Sequence, residues 1–312
     1  MPNPDASPSD SRAKHAGPLY LIDASPYIFR AFYSLPSSMK DRDGRPANAA
    51  RGFADFLGKL LADESPTHVL VAFDGSLTTS FRNDIFPAYK SSRELPDEAL
   101  VAQLEACYRL ADALGCFTCI DGRYEADDLV ATARARFDDS FEAFAVVTAD
   151  KDLTQLVDDR TSFYDFAKGA RLGPAEVRAK FGVHPHQIRD LLGLAGDSVD
   201  DIPGVRGVGP KTATALLEHF ENLEAIYEDL GRVKEVPLRG AKTLGAKLEE
   251  HRDLAFLSRE LATCSLEAPL TATSPENLAW KGVKRPDLDA LTEQLGYRAG
   301  TQRFAQLPDR PA

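Results

Sequence analysis

The sequence predicts an α/β fold, a mostly parallel sheet flanked by helices, followed by a smaller all-helical subdomain. Three observations point there. Up to about residue 166, short apolar runs alternate with helical patterns, the rhythm of parallel strands joined by crossover helices. Three of those runs lead directly, or nearly so, into an aspartate: Asp23, Asp74 and Asp150. From residue 176 onward the pattern is helical, and it surrounds a glycine-rich turn within residues 196–213.

Taken in order, residues 1–17 are rich in Pro, Ser, Asp and Ala and lack an apolar run, which predicts a disordered tail rather than a signal peptide. Residues 19–22 (LYLI) form a strand ending in Asp23. Ser25 and Pro26 then suit the N-cap and first position of a helix running through Ile28, Phe29 and Phe32. A polar loop, 40–48, leads to a helix over 49–62, and residues 68–73 (HVLVAF) make a strand ending in Asp74. Residues 76–96 contain no strand; a helix then runs to 114. A short strand over 116–120, a helix over 125–136 and a strand over 143–148 follow, the last running into Asp150 and Asp152. After residues 162–166 the chain turns helical, over 176–181 and 187–194, and the subdomain change is expected near Phe181. The expected division is thus a core over 18–180, a helical subdomain over 181–304 and a second loose tail over 305–312. No run approaches the length of a membrane span, so a soluble, cytoplasmic protein with no membrane partner is expected.

With 312 residues, 43% of them hydrophobic, the chain can bury a large core. Its formal charge of −11 argues against a nucleic-acid partner unless the acids cluster around bound cations. Basic residues do come in groups: Arg82, Lys90 and Arg93, then Arg232, Lys234, Arg239, Lys242, Lys247 and Arg252. The four cysteines include a C-x-x-C pair, Cys116 and Cys119, but no second pair or nearby histidine completes a zinc site. They read as small apolar residues of a reduced protein.

Residues 196–213, GDSVDDIPGVRGVGPKTA, combine two chemistries in one short segment. Asp197, Asp200 and Asp201 offer cation ligands. Gly204, Gly207 and Gly209 let the backbone approach a ligand closely, and Pro210 opens a helix whose free amides and dipole favour an anion. A nucleotide P-loop is excluded, because Pro210 separates Gly209 from Lys211 and no strand precedes the turn. A helix-hairpin-helix fits better, its backbone amides holding a nucleic-acid phosphate without reading sequence.

Acids elsewhere fall where an open sheet gathers function, at the C-terminal ends of its strands. Asp23, Asp74 and Asp150 follow strands, Asp152 lies two residues on, and Glu125, Asp127 and Asp128 open a helix. Each alone reads as a cap or turn residue. Together with the 197–201 cluster they would repel strongly unless cations sat between them. Oxygen ligands suit two Mg²⁺ or Mn²⁺ ions, and such a pair supports phosphodiester hydrolysis without a Ser, Cys or His nucleophile.

Five stretches, LIDAS, AFDG, YEADD, TADKD and GDSVDDIPGVRGVGPKTA, resemble in order the motifs of the 5′-nuclease and flap endonuclease family. The likeness runs from about residue 19 to 304 and is strongest to the 5′→3′ exonuclease domain of bacterial DNA polymerase I. It implies a PIN-like core and a helix-3-turn-helix subdomain. It also implies that Asp23, Asp74, Glu125, Asp127 and Asp150 surround a tightly held metal, and Asp128, Asp152, Asp197 and Asp200 a second. By the same resemblance SFR and YKSSR belong to a helical arch, over about residues 76–105, spanning a single-stranded 5′ end. There Tyr89 would stack on a base, Arg82 contact DNA, and Lys90 and Arg93 act on the scissile phosphate beside Asp150. Arg30 resembles a phosphate contact, as do Gly204, Gly207, Gly209, Lys211 and Thr212 of the hairpin. The carbonyls of Val205 and Val208 would hold a monovalent cation, K⁺.

The family usually has Asn where this chain has Asp201, and the acid is expected to make the same local backbone bonds. The implied activity is 5′→3′ exonuclease and 5′-flap cleavage in DNA replication or repair, on flaps, ends or nicks and on the RNA strand of hybrids. A monomer is expected. A polymerase would need a further large domain, so a stand-alone nuclease or a cut-out domain is expected. Two alternatives stay open: a PIN-type ribonuclease, and a catalytically silent DNA-junction binder.

Overall fold

The computed structural model describes residues 14–94, 96–297 and 302–311. Its elements are β1 (His15–Asp23), α1 (Ser25–Ser34), α2 (Asn48–Glu64), β2 (His68–Asp74), α3 (Arg82–Ile85), α4 (Glu98–Ala113), β3 (Phe117–Asp121), α5 (Ala126–Arg136), β4 (Phe141–Val147), β5 (Thr161–Asp165) and β6 (Ala170–Leu172). The helices α6 (Pro174–Phe181), α7 (Ile188–Ala195), α8 (Pro210–His219), α9 (Leu223–Glu228), α10 (Ala241–Glu250), α11 (Arg252–Ala262) and α12 (Arg285–Gln294) follow. The sheet order is β3-β2-β1-β4-β5-β6, parallel except for the last pair.

The near-continuous apolar runs of β1 and β2 follow from burial on both faces. Tyr20, Ile22, Val69 and Val71 face α1, α2, α4 and α12, while Leu19, Leu21, Leu70 and Ala72 face α5. A separate apolar cluster, including Val177, Leu194, Leu216, Leu223, Leu248 and Leu261, holds the helical subdomain together. Among the described residues no helix is long and apolar enough to cross a membrane, and all four cysteines are buried and unpaired.

The order of the strands decides where function can sit. The chain builds outward from β1 through β2 to β3, then returns to lay β4 on the other side of β1. The carboxyl ends of β2, β1 and β4 therefore meet at the point where the winding reverses, the crevice that open α/β sheets use for ligands. Neighbouring strands lie about 5 Å apart, so the aspartates ending them form a row.

Four expectations are corrected. The first tail is shorter, because His15 and its neighbours already belong to β1: His15 pairs with Phe141 and stacks on its ring. Residues 1–13 lie outside the described residues. Second, the segment over 76–105 is not a helical arch. Among the described residues of that stretch only α3 and the start of α4 are helical, and turns and a bend fill residues 87–93, consistent with Pro87 and Pro96 interrupting the pattern.

Third, the helical subdomain does not continue to residue 304. After α11 the chain returns to the α/β core, where Cys264, Ala268, Leu270 and Leu278 pack beside α5, and Leu288, Leu291 and Leu295 pack beside α4. Fourth, the second tail is docked. Leu307 is buried, the Val283 amide donates to the Pro308 carbonyl while the Val283 carbonyl accepts the Arg310 amide, and Phe304 is 1% exposed. The Phe304 ring lies so close to Gly58 of α2 that a Cβ there would meet it at 2.3 Å. A lone phenylalanine among polar residues gave no periodicity to read.

Because Phe304 fills a closed site, Phe304→Ala should destabilise the fold by about 3–5 kcal/mol. Urea unfolding monitored by circular dichroism would check this. A loss below about 1 kcal/mol, typical of surface sites, would mean the segment is peripheral.

Candidate metal centre and nucleic-acid interface

Asp23, at the end of β1, is buried at 2% exposure; its carboxylate accepts bonds from the Thr148 hydroxyl (2.8 Å) and the Ser25 amide (3.2 Å). Asp74, at the end of β2, accepts the Ser25 hydroxyl and, at 2.7 Å, the Ala126 amide at the start of α5. Asp150 caps the short 3₁₀ turn after β4 by accepting the Asp152 amide at 2.9 Å. Asp127 lies in the first turn of α5. Together with Ser25, Glu125, Lys90 and Arg93 these four acids line a cavity of about 290 Å³.

Crowding shows in their protonation. Burial pushes the Asp23 carboxyl well above its ordinary value, and the charges of Asp74 and Asp150 push further, against the Thr148 bond. Asp127 is likewise raised by burial, then by Asp23 and Asp150. Asp74 is raised by burial and Glu125, against bonds from Ser25 and Ala126. Asp152 is pushed up to about 7, first by burial and then by Asp150. Carboxyls held this way take up either protons or cations.

A second set of acids faces basic side chains. Glu125 receives Lys90 on one oxygen, and Arg82 (2.8 Å) and the Tyr89 hydroxyl (3.1 Å) on the other. Asp200 pairs with Arg93, and the Lys90 ammonium stands 3.6 Å away. Asp197 binds Lys151 and the Val199 amide; burial opposes its charge, but these bonds hold its carboxyl below the ordinary value. The buried Oδ1 of Asp152 accepts no hydrogen bond, with the Lys151 ammonium 3.3 Å away. Among the described residues no three Asp, Glu, His or Cys side chains are grouped so as to hold a metal ion as they stand. An open, oxygen-lined cleft suits a small hard cation that keeps several of its waters.

Three site expectations change here. Asp128 does not face the cleft. It is fully buried, and its oxygens accept both Arg82 nitrogens (2.8 Å each), the Ser265 amide (2.7 Å) and the Glu125 amide (3.1 Å). Arg82, 3% exposed, also donates to the Leu261 and Thr263 carbonyls, which leaves it no reach to DNA. Tyr89, 4% exposed, has its ring in the core of the helical subdomain and is not available for stacking on a base. Sequence alone shows that acids and bases are present, but not which of them saturate each other.

The hairpin divides in two. Gly204 is buried: its amide donates to Ser258 Oγ at 2.9 Å, and a Cβ would meet the Gly196 nitrogen at 2.3 Å. It is therefore the neck of the acidic loop rather than a phosphate contact. With Gly196 opposite, and Asp197 and Ile202 exchanging backbone bonds, it closes the loop that presents Asp197, Asp200 and Asp201. Gly207 (φ +79°), Gly209 and Lys211 are exposed, and Thr212 is half-buried. No side chain caps the amides at the start of α8, and a Cβ on Gly207 would lie 3.5 Å from the Lys247 ammonium. The Val205 and Val208 side chains are buried in the core beneath, with the Val205 carbonyl accepting the Val208 amide at 2.9 Å. Arg30 is exposed on α1, outside the lining of the acidic cavity.

Asp201 has φ +54° and accepts the Ser92 amide at 2.7 Å, a backbone bond made across to residue 92 rather than within the following turn. Ser25, Thr148, Lys151 and Ser258 were missed as site residues. The first three lie inside LIDAS and TADKD, so motif position was a usable signal; Ser258 lies in an ordinary helical pattern and had none.

Residues 18–182 match the family model described as 5′-3′ exonuclease, N-terminal resolvase-like domain, and residues 183–286 match that described as 5′-3′ exonuclease, C-terminal SAM fold. DNA polymerase I of Bacillus subtilis is 40% identical over 293 residues, covering 92% of this chain but 32% of that protein. The chain thus spans about a third of the length of the polymerases it matches. The 5′-3′ exonuclease of Buchnera aphidicola subsp. Schizaphis graminum is 31% identical over 260 residues, 83% of this chain and 90% of that one. Among solved structures, the T5 5′-exonuclease with bound divalent metal ions (zinc) superposes with a TM-score of 0.64 at 21% identity, covering 89% of this chain and 98% of that one. The bacteriophage T5 flap endonuclease in complex with DNA and metal ions gives 0.63 at 19%, covering 93% and 100%. With both halves matched in order and the strand-end acids in their row, the chain belongs to the 5′-3′ exonuclease family.

Proposed function

We propose that the protein is a metal-dependent nuclease that hydrolyses DNA phosphodiester bonds from 5′ ends and at 5′ flaps. The supporting observation is the row of Asp74, Asp23 and Asp150 at the reversal of the sheet, with Lys90 and Arg93 at its rim. The donor set is all oxygen and short of positive charge, and it includes Asp152 Oδ1, which accepts no hydrogen bond. Such a set fits Mg²⁺ or Mn²⁺. Asp23, Asp74, Glu125, Asp127 and Asp150 would hold one ion, and Asp152, Asp197 and Asp200 a second, partly through water. Two ions held there would supply a water acidic enough to attack near neutral pH and would offset charge on the departing oxygen. The T5 enzyme's structures with metal ions and DNA support the same reading.

The chain's own residues do the rest. Ser25 and Thr148 fix the carboxylates of Asp74 and Asp23, and so aim their remaining lone pairs into the cavity. Lys90 and Arg93 place positive charge where a phosphate would gain negative charge. The uncapped start of α8, with Gly207, Gly209, Lys211 and Thr212, seats a duplex phosphate away from the cut, with Lys247 beside it. A K⁺ ion on the Val205 and Val208 carbonyls and an Arg30–phosphate contact complete the proposed interface. Massed carboxylates beside a phosphate give a silent binder no advantage, and the hairpin favours DNA over a ribonuclease role.

Three outcomes are expected. Asp150→Asn should abolish cleavage of end-labelled 5′-flap DNA in Mg²⁺ while flap binding, read by gel shift, persists; near-normal turnover would remove the metal-centre assignment. Lys211→Ala should weaken flap binding equally across sequences and lower the slope of log K against log salt by about 0.9. An unchanged slope would make α8 structural only. Asp201→Asn should preserve cleavage, since Asn accepts the same Ser92 amide and tolerates positive φ, whereas Asp200→Asn should lose most of it. Equal losses in a Mg²⁺ titration of the two variants would put Asp201 in the metal site.

A further inference from the structure

The segment that follows α3 lies against the acidic loop through a dense set of bonds. The Lys90 amide donates to the Asp200 carbonyl at 3.0 Å, the Ser92 amide to Asp201 Oδ2 at 2.7 Å, and the Arg93 Nε to the Val199 carbonyl at 3.4 Å. Over these run the ion pairs of Lys90 with Glu125 and of Arg93 with Asp200. Two features set this contact apart from an ordinary loop packing. Three non-glycine residues have positive φ among the described residues, and two of them, Lys90 and Asp201, belong to the two segments that meet here. Backbone held in that region persists only where surrounding interactions over-determine it. Moreover, the two cations sit on the oxygens the proposed metal centre needs. Lys90 covers Glu125 Oε1, while Arg82 and Tyr89 hold Oε2 in place; Arg93 and Lys90 between them face both oxygens of Asp200.

We propose that residues 90–93 form a charge latch, in which Lys90 and Arg93 stand in for divalent cations on Glu125 and Asp200 until metal binds and displaces them. The inference rests on the metal-centre reading above. Displacement leaves Lys90 and Arg93 without partners at the rim of the cavity, where a phosphodiester would be their next anion. It also removes the side-chain part of what holds Lys90 and Asp201 at positive φ, so the remaining backbone bonds over 90–93 should open more often. Tyr89 remains the pivot, with its ring buried and its carbonyl accepting Asn83 Nδ2 at 2.8 Å. A cation that must first displace the latch binds with reduced apparent affinity, so the latch sets a threshold for metal loading.

The test needs no catalysis and no DNA. Mn²⁺ would be titrated into the full chain, with binding read from loss of the free-ion paramagnetic resonance signal and hydrogen exchange followed by mass spectrometry in the same samples. Exchange over residues 90–93 should accelerate by about tenfold or more at saturation, the mark of a local opening, while β1 and β4 stay protected. In Lys90→Met/Arg93→Met, exchange there should be fast without Mn²⁺, and Mn²⁺ should bind about tenfold or more tightly, since no latched state competes. Mn²⁺ binding with unchanged or slower exchange over 90–93 in the native chain would overturn the latch alone. No detectable Mn²⁺ binding in the native chain would overturn the metal centre and the latch with it.

Discussion

Mutual repulsion among carboxylates is the constraint that the rest of this structure accommodates. A parallel sheet places the ends of β2, β1 and β4 side by side, and the chain ends each in an aspartate. Unneutralised, such a row would lift the carboxyls toward protonation, as burial and neighbouring charge already do for Asp23 and Asp127. Around it, hydroxyls and amides steady the deepest acids, lysines and an arginine face the outer ones, and an open cavity admits solvent. The strongly negative net charge is thus partly a local property of the cleft, and the exposed bases of α10 and the hairpin turn are not contradicted by it.

A second charge arrangement makes the first one rigid. Arg82 reaches across from α3 to Asp128 and Glu125 at the start of α5, and to the Leu261 and Thr263 carbonyls where α11 ends. A buried pair of this kind adds little net stability against a well-packed apolar substitute, but leaving one partner alone costs about 3–5 kcal/mol. Its contribution is therefore positional. Asp128 and Arg82 satisfy each other so that Glu125 and Asp127, on the same helical turn, keep their places at the cavity.

How far the sequence could be read follows from these two arrangements. Strand runs were legible because burial on both faces leaves continuous apolar stretches. The strand-end acids were legible because turn chemistry places them. The sequence could not reveal that Asp128 turns away, that Tyr89 is a core residue, or that Gly204 is a neck. Each depends on a partner far along the chain, Ser265, Asp200 or Ser258 among them. The return of the chain after α11 was missed for a related reason. Residues 264–278 pack by isolated apolar side chains outside any strand or α-helix, which carries no period to detect.

That return has a consequence for how the protein forms during synthesis. Both faces of the sheet receive part of their cover from residues beyond 263, among them Ala268, Leu278, Leu288 and Phe304. While a ribosome makes the chain from its amino end, the helical subdomain emerges before these covering pieces do. The α/β layer must then wait, with apolar surface bare, until late in translation, whereas the helical insert already has its own apolar cluster. Premature release near residue 262 would leave a nascent chain with its acidic row largely encoded but its sheet uncovered, a natural client for chaperones.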